Sequence, residues 1–439
     1  MLTFIFDTLE TFVTWLQHLS FSSIFNTYWF LFCVEFPRYY LLEICIVTWH
    51  VLTYKRQHRK RFYARFRLFK ENPLITILVP GKNEGKNIYK LVKSLAEQTY
   101  RNYEIIIVDD GSDDMTPLIC TDLERHGYID RYLRCGVRGG KASAANYGAY
   151  YAKGKYIIHL DADSSLDRDA IEKILLPFYL DSQVKGVGGT VKVRNYKDSI
   201  CASLQAVEYL KTIMVGRVVT AKLGILHIIS GAFGAFDVET LKKVGYWDIG
   251  PGLDGDITQK IRKAGYKVAF AHDAVCLTSV PTKWSKLFKQ RLRWSKSLIR
   301  FRVRKHRDIL IPHRNWSFSN FASNMESIIY DCVFNYIWLF YFINLMWTFS
   351  EHIFEVMLLD FLLRFCFSLI AFAVIMAVTE RKREELFLFR FLPLTSLYTG
   401  YFMRTVRLLA HTKELFFFSS YKDPWNPEKT SRYAQLERA

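Results

Sequence analysis

The apolar residues of this chain are segregated along its length, and that segregation limits the folds open to it more than any other feature. Four windows, 28–53, 328–348, 353–378 and 386–410, are dense in Phe, Leu, Ile and Trp, whereas 54–325 has the mixed composition of a water-soluble domain. About 20 mostly apolar residues cross the hydrocarbon core of a bilayer as a helix. The pattern predicts a chain embedded in a membrane, with one span ahead of a large soluble domain and two or three after it. Pro393 and Arg404 interrupt the last window, so its crossing and the side of the tail stay open.

The net charge of +18 matters less than its placement. Residues 55–70 carry eight Lys and Arg and no acid, directly after the first window. Basic flanks stay on the cytoplasmic side and meet anionic headgroups there. The soluble domain is therefore expected in the cytosol, under the inner membrane. The loop 349–355 has no Lys or Arg and should face out, while Arg381-Lys382-Arg383 should face in. No nucleic-acid-binding module accompanies the basic run, so nucleic acid is not an expected partner. Eight scattered cysteines form no CxxC pair and read as free thiols. Residues 1–20 lack a basic n-region and read as an amphipathic segment, not a cleavable leader.

From residue 72 apolar strands alternate with helices. The runs 73–84, 103–114 and 155–165 are strands, and 87–98, 115–126, 141–153 and 167–179 have helical spacing. This alternation predicts a mostly parallel α/β sheet with right-handed crossovers. Ligands of such sheets bind beyond the carboxyl ends of the strands. Three strands here end in polar or acidic turns, at Asn83-Glu84, Asp109-Asp110 and Asp161-Ala162-Asp163. Further strands are expected at 184–195 and within 224–237, and helices at 198–217 and 256–265.

Asp161 and Asp163 can be aimed at one cation by the turn that ends their strand. Carboxylates suit Mg2+ or Mn2+, which take one or two of them plus phosphate oxygens. The alternative is a turn or helix cap formed with Ser164, Ser165 and Asp167. Gln290, Arg293 and Trp294 are spaced i, i+3, i+4 and share a helix face. There Arg can grip a phosphate bidentately, Gln can add a hydrogen bond, and the indole can stack under a sugar ring. An interfacial helix with snorkelling Arg would show the same residues. The small residues of 230–236, led by Ser230 and Gly231, would let a ligand approach the backbone closely, or serve packing alone.

In order and spacing, "ILVPGKNE", "IIIVDDGSDD", "RGGKASAANYG", "HLDADSS", "SGAFGAF", "LDGDIT" and "KQRLRWSKS" resemble the inverting, membrane-embedded family 2 glycosyltransferases. That group includes the cellulose, chitin, hyaluronan and poly-N-acetylglucosamine synthases. The likeness covers roughly 75–300, and Gln290-x-x-Arg293-Trp294 is its most specific element. It implies a GT-A domain (α/β, Rossmann-like, nucleotide-sugar-binding) joined to a transmembrane helical region. By resemblance, Asp109 or Asp110 meets the uracil-ribose part of a UDP-sugar and Lys141 helps hold the nucleotide. Asp254 aligns with the base that deprotonates the acceptor, and Asp256 with a second acid near the acceptor. Leu253 stands where many members have Glu, which leaves Asp256 open as the base, or as a cap of its helix.

The domains expected are an N-terminal segment and span at 1–54, a basic linker at 55–71, the transferase domain at 72–282, and interface helices at 283–325. Spans at 326–412 and a tail at 413–439 complete the chain. The activity expected is transfer from a UDP-sugar, with inversion, to the growing end of a β-linked polysaccharide that leaves through the membrane. A growing polysaccharide, the bilayer and export or accessory subunits are the partners this admits. Two alternatives stand beside it: a transferase adding one sugar to a polyprenyl phosphate or other lipid carrier, and an inactive scaffold or polymer-binding subunit. The charges inside the windows (Glu35, Arg38, Glu43, Asp331, Asp360, Arg364) imply a polar interior or pairing between helices.

Overall fold

The computed structural model describes residues 2–248, 252–312 and 316–422. Its soluble part is built on eight strands: β1 (Ile75–Gly81), β2 (Tyr103–Asp109), β3 (Arg131–Arg134), β4 (Tyr156–Leu160), β5 (Ser165–Leu166), β6 (Val184–Val193), β7 (Phe233–Asp237) and β8 (Lys267–Thr278). They form one sheet in the order β3-β2-β1-β4-β7-β6-β8-β5. Strands β1 and β4 are buried nearly throughout, as unbroken apolar runs must be when helices cover both faces. Alternation along β1 sends Ile77 and Val79 to the face packed by Leu91, Leu95 and Leu175. It sends Leu78 to the opposite face, with Ala144 and Ala145.

The sheet is mixed where the sequence pattern predicts it mostly parallel. Strands β1 to β4 are mutually parallel, and β6 is parallel to β8. Between these groups β7 runs antiparallel to both β4 and β6, pairing Phe233 with Leu160. The reversal has a consequence for the site. The start of β7 lies beside the carboxyl end of β4, so Ser230 and Gly231 reach the edge where Asp161 and Asp163 emerge.

The helix Lys141–Tyr150 sits close on the sheet because its inner face is Ala142, Ala145 and Gly148. A Cβ on Gly148 would overlap the side chains of Leu78 and Val108. This close approach carries Lys141, the first residue of the helix, to the strand ends.

Two helical runs are long and apolar enough to cross a membrane, Phe318–Thr348 and Ser350–Val378. The windows 28–53 and 386–410 are helical as well, with π-turns at Leu31–Glu35, Pro37–Leu41 and Tyr398–Phe402, as the run Phe318–Thr348 has at Ile328–Val333. The first apolar helix begins at Phe318, eight residues before the boundary expected at 326 (326 − 318), and the last helix, Met403–Phe417, runs past 412. Charges within these helices pair across them. Glu35 meets Arg364 at 2.8 Å and Arg404 at 2.6 Å, Arg364 meets Asp360 at 2.8 Å, and Arg38 meets Glu326. The tail segment 420–433, whose Trp425 invites a gating role by resemblance, lies outside the described residues apart from Ser420–Lys422.

Candidate active site

A cavity of about 1120 Å³ opens at the carboxyl ends of β1, β2 and β4 and the start of β7. Asp161 and Asp163 stand on the turn after β4. Lys141 is ion-paired with Asp161. Burial by itself would pull the Lys141 ammonium down, but Asp161 and Asp254 reverse the effect and hold it above its ordinary value. Burial, together with the neighbouring charge of Asp161, pushes the Asp163 carboxyl up to about 6. Glu84, at the end of β1, is raised for the same two reasons, burial first and then Asp163 and Asp161.

Three carboxylates thus converge with one ammonium between them, an excess of negative charge that a divalent cation would relieve. Among the described residues no group of three or more His, Cys, Asp or Glu is arranged to enclose a metal. That suits Mg2+ or Mn2+ held by Asp161 and Asp163 with the remaining oxygens supplied by a diphosphate.

Asp109 and Asp110 have divided roles. Asp109 is enclosed: its carboxylate accepts from the Ser112 N–H at 2.7 Å and the Tyr132 hydroxyl at 2.9 Å. It holds the turn and does not line the cavity, which leaves Asp110 as the member of the pair that does. Asp110 does line it, accepting from the N–H groups of Gly139 and Gly140 at 2.8 and 2.9 Å. It ties the loop before Lys141 to the sheet.

Asp254, near the start of the helix Leu253–Lys263, faces Gly231. A Cβ on Gly231 would overlap the Asp254 carboxylate, so only glycine allows this contact. Burial raises the Asp254 carboxyl, while Lys141 and the Gly231 N–H oppose the rise without cancelling it. The Gly231 carbonyl is held in turn by His159 of β4, whose Nδ1 lies 2.6 Å away. Burial, with Lys141 nearby, pushes the His159 imidazole down to about 3, so the ring is neutral and Nδ1–H is the donor. The pattern "YIIHL" reads only as a buried strand, and nothing in it marks His159 as a support for residues 72 positions later.

Asp256 does not reach the acceptor side as expected. Its carboxylate is fully buried between Lys305 at 2.7 Å and His306 at 2.8 Å. The pairing partners come 49 and 50 residues later in the chain, beyond the reach of any local pattern. Ser230, Gln290, Arg293 and Trp294 all line the cavity. The enclosed Oε1 of Gln290 has no hydrogen-bond partner among the described residues. Trp294 is half-exposed, with the Arg291 guanidinium 4.5 Å from its ring centre. Arg291 is itself paired with buried Glu208 at 2.9 Å. Neither Arg291 nor Glu208 stands out in the sequence, because each is one cation or acid in a helix of ordinary composition.

The family model of glycosyl transferase family 2 matches residues 76–245. This segment is a family 2 glycosyltransferase domain. It carries β1 through β7, and with them Asp110, Lys141, Asp161, Asp163 and Gly231. The transferase domain resembles poly-beta-1,6-N-acetyl-D-glucosamine synthases: one from Staphylococcus epidermidis is 32% identical over 223 residues, and one from Staphylococcus aureus strain COL 33% over 224. Each match covers 51% of this chain and 54% of the relative, so the chain spans about half the length of the curated relatives it matches. A mannosyltransferase from Pyrobaculum calidifontis, solved in complex with GDP-Man and Mn2+, matches 85% of this chain and 99% of its own. The TM-score is 0.54 at 20% identity, a likeness of fold. The α/β GT-A fold expected for the transferase domain is the fold observed.

Proposed function

We propose that the protein is an inverting glycosyltransferase that moves a sugar, N-acetylglucosamine by the likeness to its relatives, from a UDP-sugar to the growing end of a β-linked polysaccharide. One observation carries the reading. Asp254, packed closely against Gly231, shares a single cavity with Asp161, Asp163 and Trp294.

A sugar stacked on the Trp294 indole would present its hydroxyl to Asp254. The Asp254 carboxylate takes the hydroxyl proton as the oxygen attacks the anomeric carbon from the face opposite the diphosphate. The bond from that carbon to the diphosphate oxygen breaks, and UDP leaves with the electron pair. The raised Asp254 carboxyl is matched to this work, since a stronger base accepts the proton more readily. Lys141, Gln290 and Arg293, which line the same cavity, would bind the diphosphate. A divalent cation held by Asp161 and Asp163 would neutralise the charge of the leaving group.

The same cavity continues past Phe301 to Ser327, Asp331, Arg407 and His411, which belong to the helical region. This continuity supports an exit for the polymer between the helices, with the two apolar runs crossing the inner membrane and the transferase domain in the cytosol. The test uses membrane vesicles given labelled UDP-N-acetylglucosamine, UDP-glucose or UDP-glucuronate with Mn2+ or Mg2+. The expected result is a long polymer from UDP-N-acetylglucosamine, lost to about 10²–10⁴-fold lower rate in Asp254→Asn. A product of one sugar on a lipid carrier overturns it.

A further inference from the structure

The cavity is also lined by cationic and imidazole groups to which the transfer step gives no role. Arg217 projects from the helix Gly216–Lys222, His227 from the segment leading into β7, and Arg302 from the π-helical turns Leu298–Lys305. Three separate elements thus bring cationic or imidazole groups to one wall. Nη1 of Arg217 and Nδ1 of His227 are enclosed and reach no hydrogen-bond partner among the described residues. Arg302 donates to the Ser323 carbonyl at 3.2 Å.

Neither Arg217 nor Arg302 is ion-paired among the described residues; the charge of Asp254 acts on Arg217 without contact, and the two acids that act on Arg302 are engaged elsewhere. Glu326 is taken by Arg38, and Asp331 faces Arg407 at 3.6 Å. Arg262, a further cation near His227, bonds the carbonyl oxygens of Gly224 and Leu226 and the side chains of Asn320 and Ser319, none of them an acid. Burial, reinforced by Arg302, Arg217, Arg38 and Arg262, keeps the His227 imidazole well below its ordinary value. The ring is neutral and adds a hydrogen-bond donor without adding charge. A guanidinium withdrawn from water without a carboxylate in contact is costly, and here two of them line the cavity. Their planar forks match a carboxylate or a phosphate.

We propose that Arg217, His227 and Arg302 form a subsite for an oxyanion, a carboxylate or phosphate group, carried by the acceptor. The subsite rests on the reading of Asp254 as the base, since Arg217 shares the cavity with Asp254 and feels its charge. It makes the acceptor chain, or the molecule on which the chain is begun, an anionic one. It also separates recognition of the acceptor from the neutral stacking surface of Trp294.

The test uses the full chain in lipid nanodiscs with UDP-N-acetylglucosamine, following UDP release. Three acceptors of equal length are compared: a neutral oligosaccharide, the same with a uronate carboxylate, and the same with a phosphate ester. At least one anionic acceptor should show a KM about tenfold or more below the neutral one, the size of effect expected from charge-assisted hydrogen bonds. Whichever anion is preferred identifies the source of the group. Inorganic phosphate should compete with that acceptor and not with the UDP-sugar. Arg217→Gln and Arg302→Gln should each reduce the preference to about twofold or less, and Arg217→Lys should retain part of it. Should a variant fail to fold, the wild-type competition by phosphate still decides. Equal KM values for all three acceptors, with normal UDP release, overturn the subsite alone. Absence of UDP release with every acceptor overturns the transferase reading and the subsite with it.

Discussion

The imidazole of His159 and the carbonyl of Gly231 meet at 2.6 Å, and through that contact β4 supports the residue that faces Asp254. Gly231 is confined on two sides, its carbonyl held by His159 and the place of a side chain taken by the Asp254 carboxylate. The support is independent of the carboxylates on the turn after β4, although all of them belong to one stretch of ten residues.

Gly231→Ala should cost activity without unfolding the domain. Its new methyl would occupy the place of the Asp254 carboxylate, and displacing a reacting group by about 1 Å costs about 10²-fold in rate. His159→Phe should produce a smaller fall in kcat, by freeing the Gly231 peptide. Turnover at saturating donor and acceptor, compared with UDP binding by the same preparations, distinguishes misplacement from collapse: UDP affinity should be retained in both variants.

Arg291→Met should lower stability, because among the described residues it leaves buried Glu208 with only the Tyr398 hydroxyl, 2.6 Å away, as a side-chain partner. The side chains of Arg291 and Glu208 are 5% and 9% exposed, so solvent screens the pair little. Removing one member of such a pair costs about 3–5 kcal/mol. Thermal melts in detergent should show the drop, while the double change Arg291→Met with Glu208→Leu should recover much of it. A melting point unchanged by the single substitution would argue against a structural role for the pair.

Asp256 should make stability depend on pH at the acid end. Burial pushes its carboxyl up, but the His306 hydrogen bond and the Lys305 ammonium outweigh burial and hold it below the usual aspartate range. A group whose folded value is depressed contributes stability above its unfolded value, about 3.9, and loses it as pH falls through the folded one. The gap in melting temperature between wild type and Asp256→Asn should therefore be full at pH 6 and shrink below pH ~4. A gap constant across that range would count against the assignment.

Chelation should silence transfer, and Mn2+ or Mg2+ should restore it. In Asp161→Asn, restoration should need at least about tenfold more metal, the scale on which perturbing a metal site acts. Titrating activity against free metal ion measures this directly, and an activity indifferent to strong chelators contradicts a metal at Asp161 and Asp163.

The strand endings were legible in the sequence because a buried strand announces itself locally: an apolar run stops, and polar residues follow. Asp110, Asp161 and Asp163 reach the cavity on that logic, Lys141 was named by the family resemblance alone, and Gln290, Arg293 and Trp294 share a helix face by their spacing. Which of Asp109 and Asp110 faces the cavity was not legible, for a physical reason. Adjacent residues at a strand end point to opposite sides, and the chain alone does not say which side is the cavity. Asp256 was misjudged because its partners, Lys305 and His306, arrive from a distant turn.

The amino-acid sequence by itself determined the α/β domain with its helical surroundings, and the carboxylates at the ends of its parallel strands. These rest on periodicity and on short-range spacing, which are written into neighbouring residues. The tertiary structure decided the rest. The antiparallel entry of β7 puts Gly231 against Asp254, Glu208 anchors Arg291 beneath Trp294, and Arg217, His227 and Arg302 converge on one wall. Each of these joins segments remote in the chain, and only strand pairing and helix packing bring them within contact.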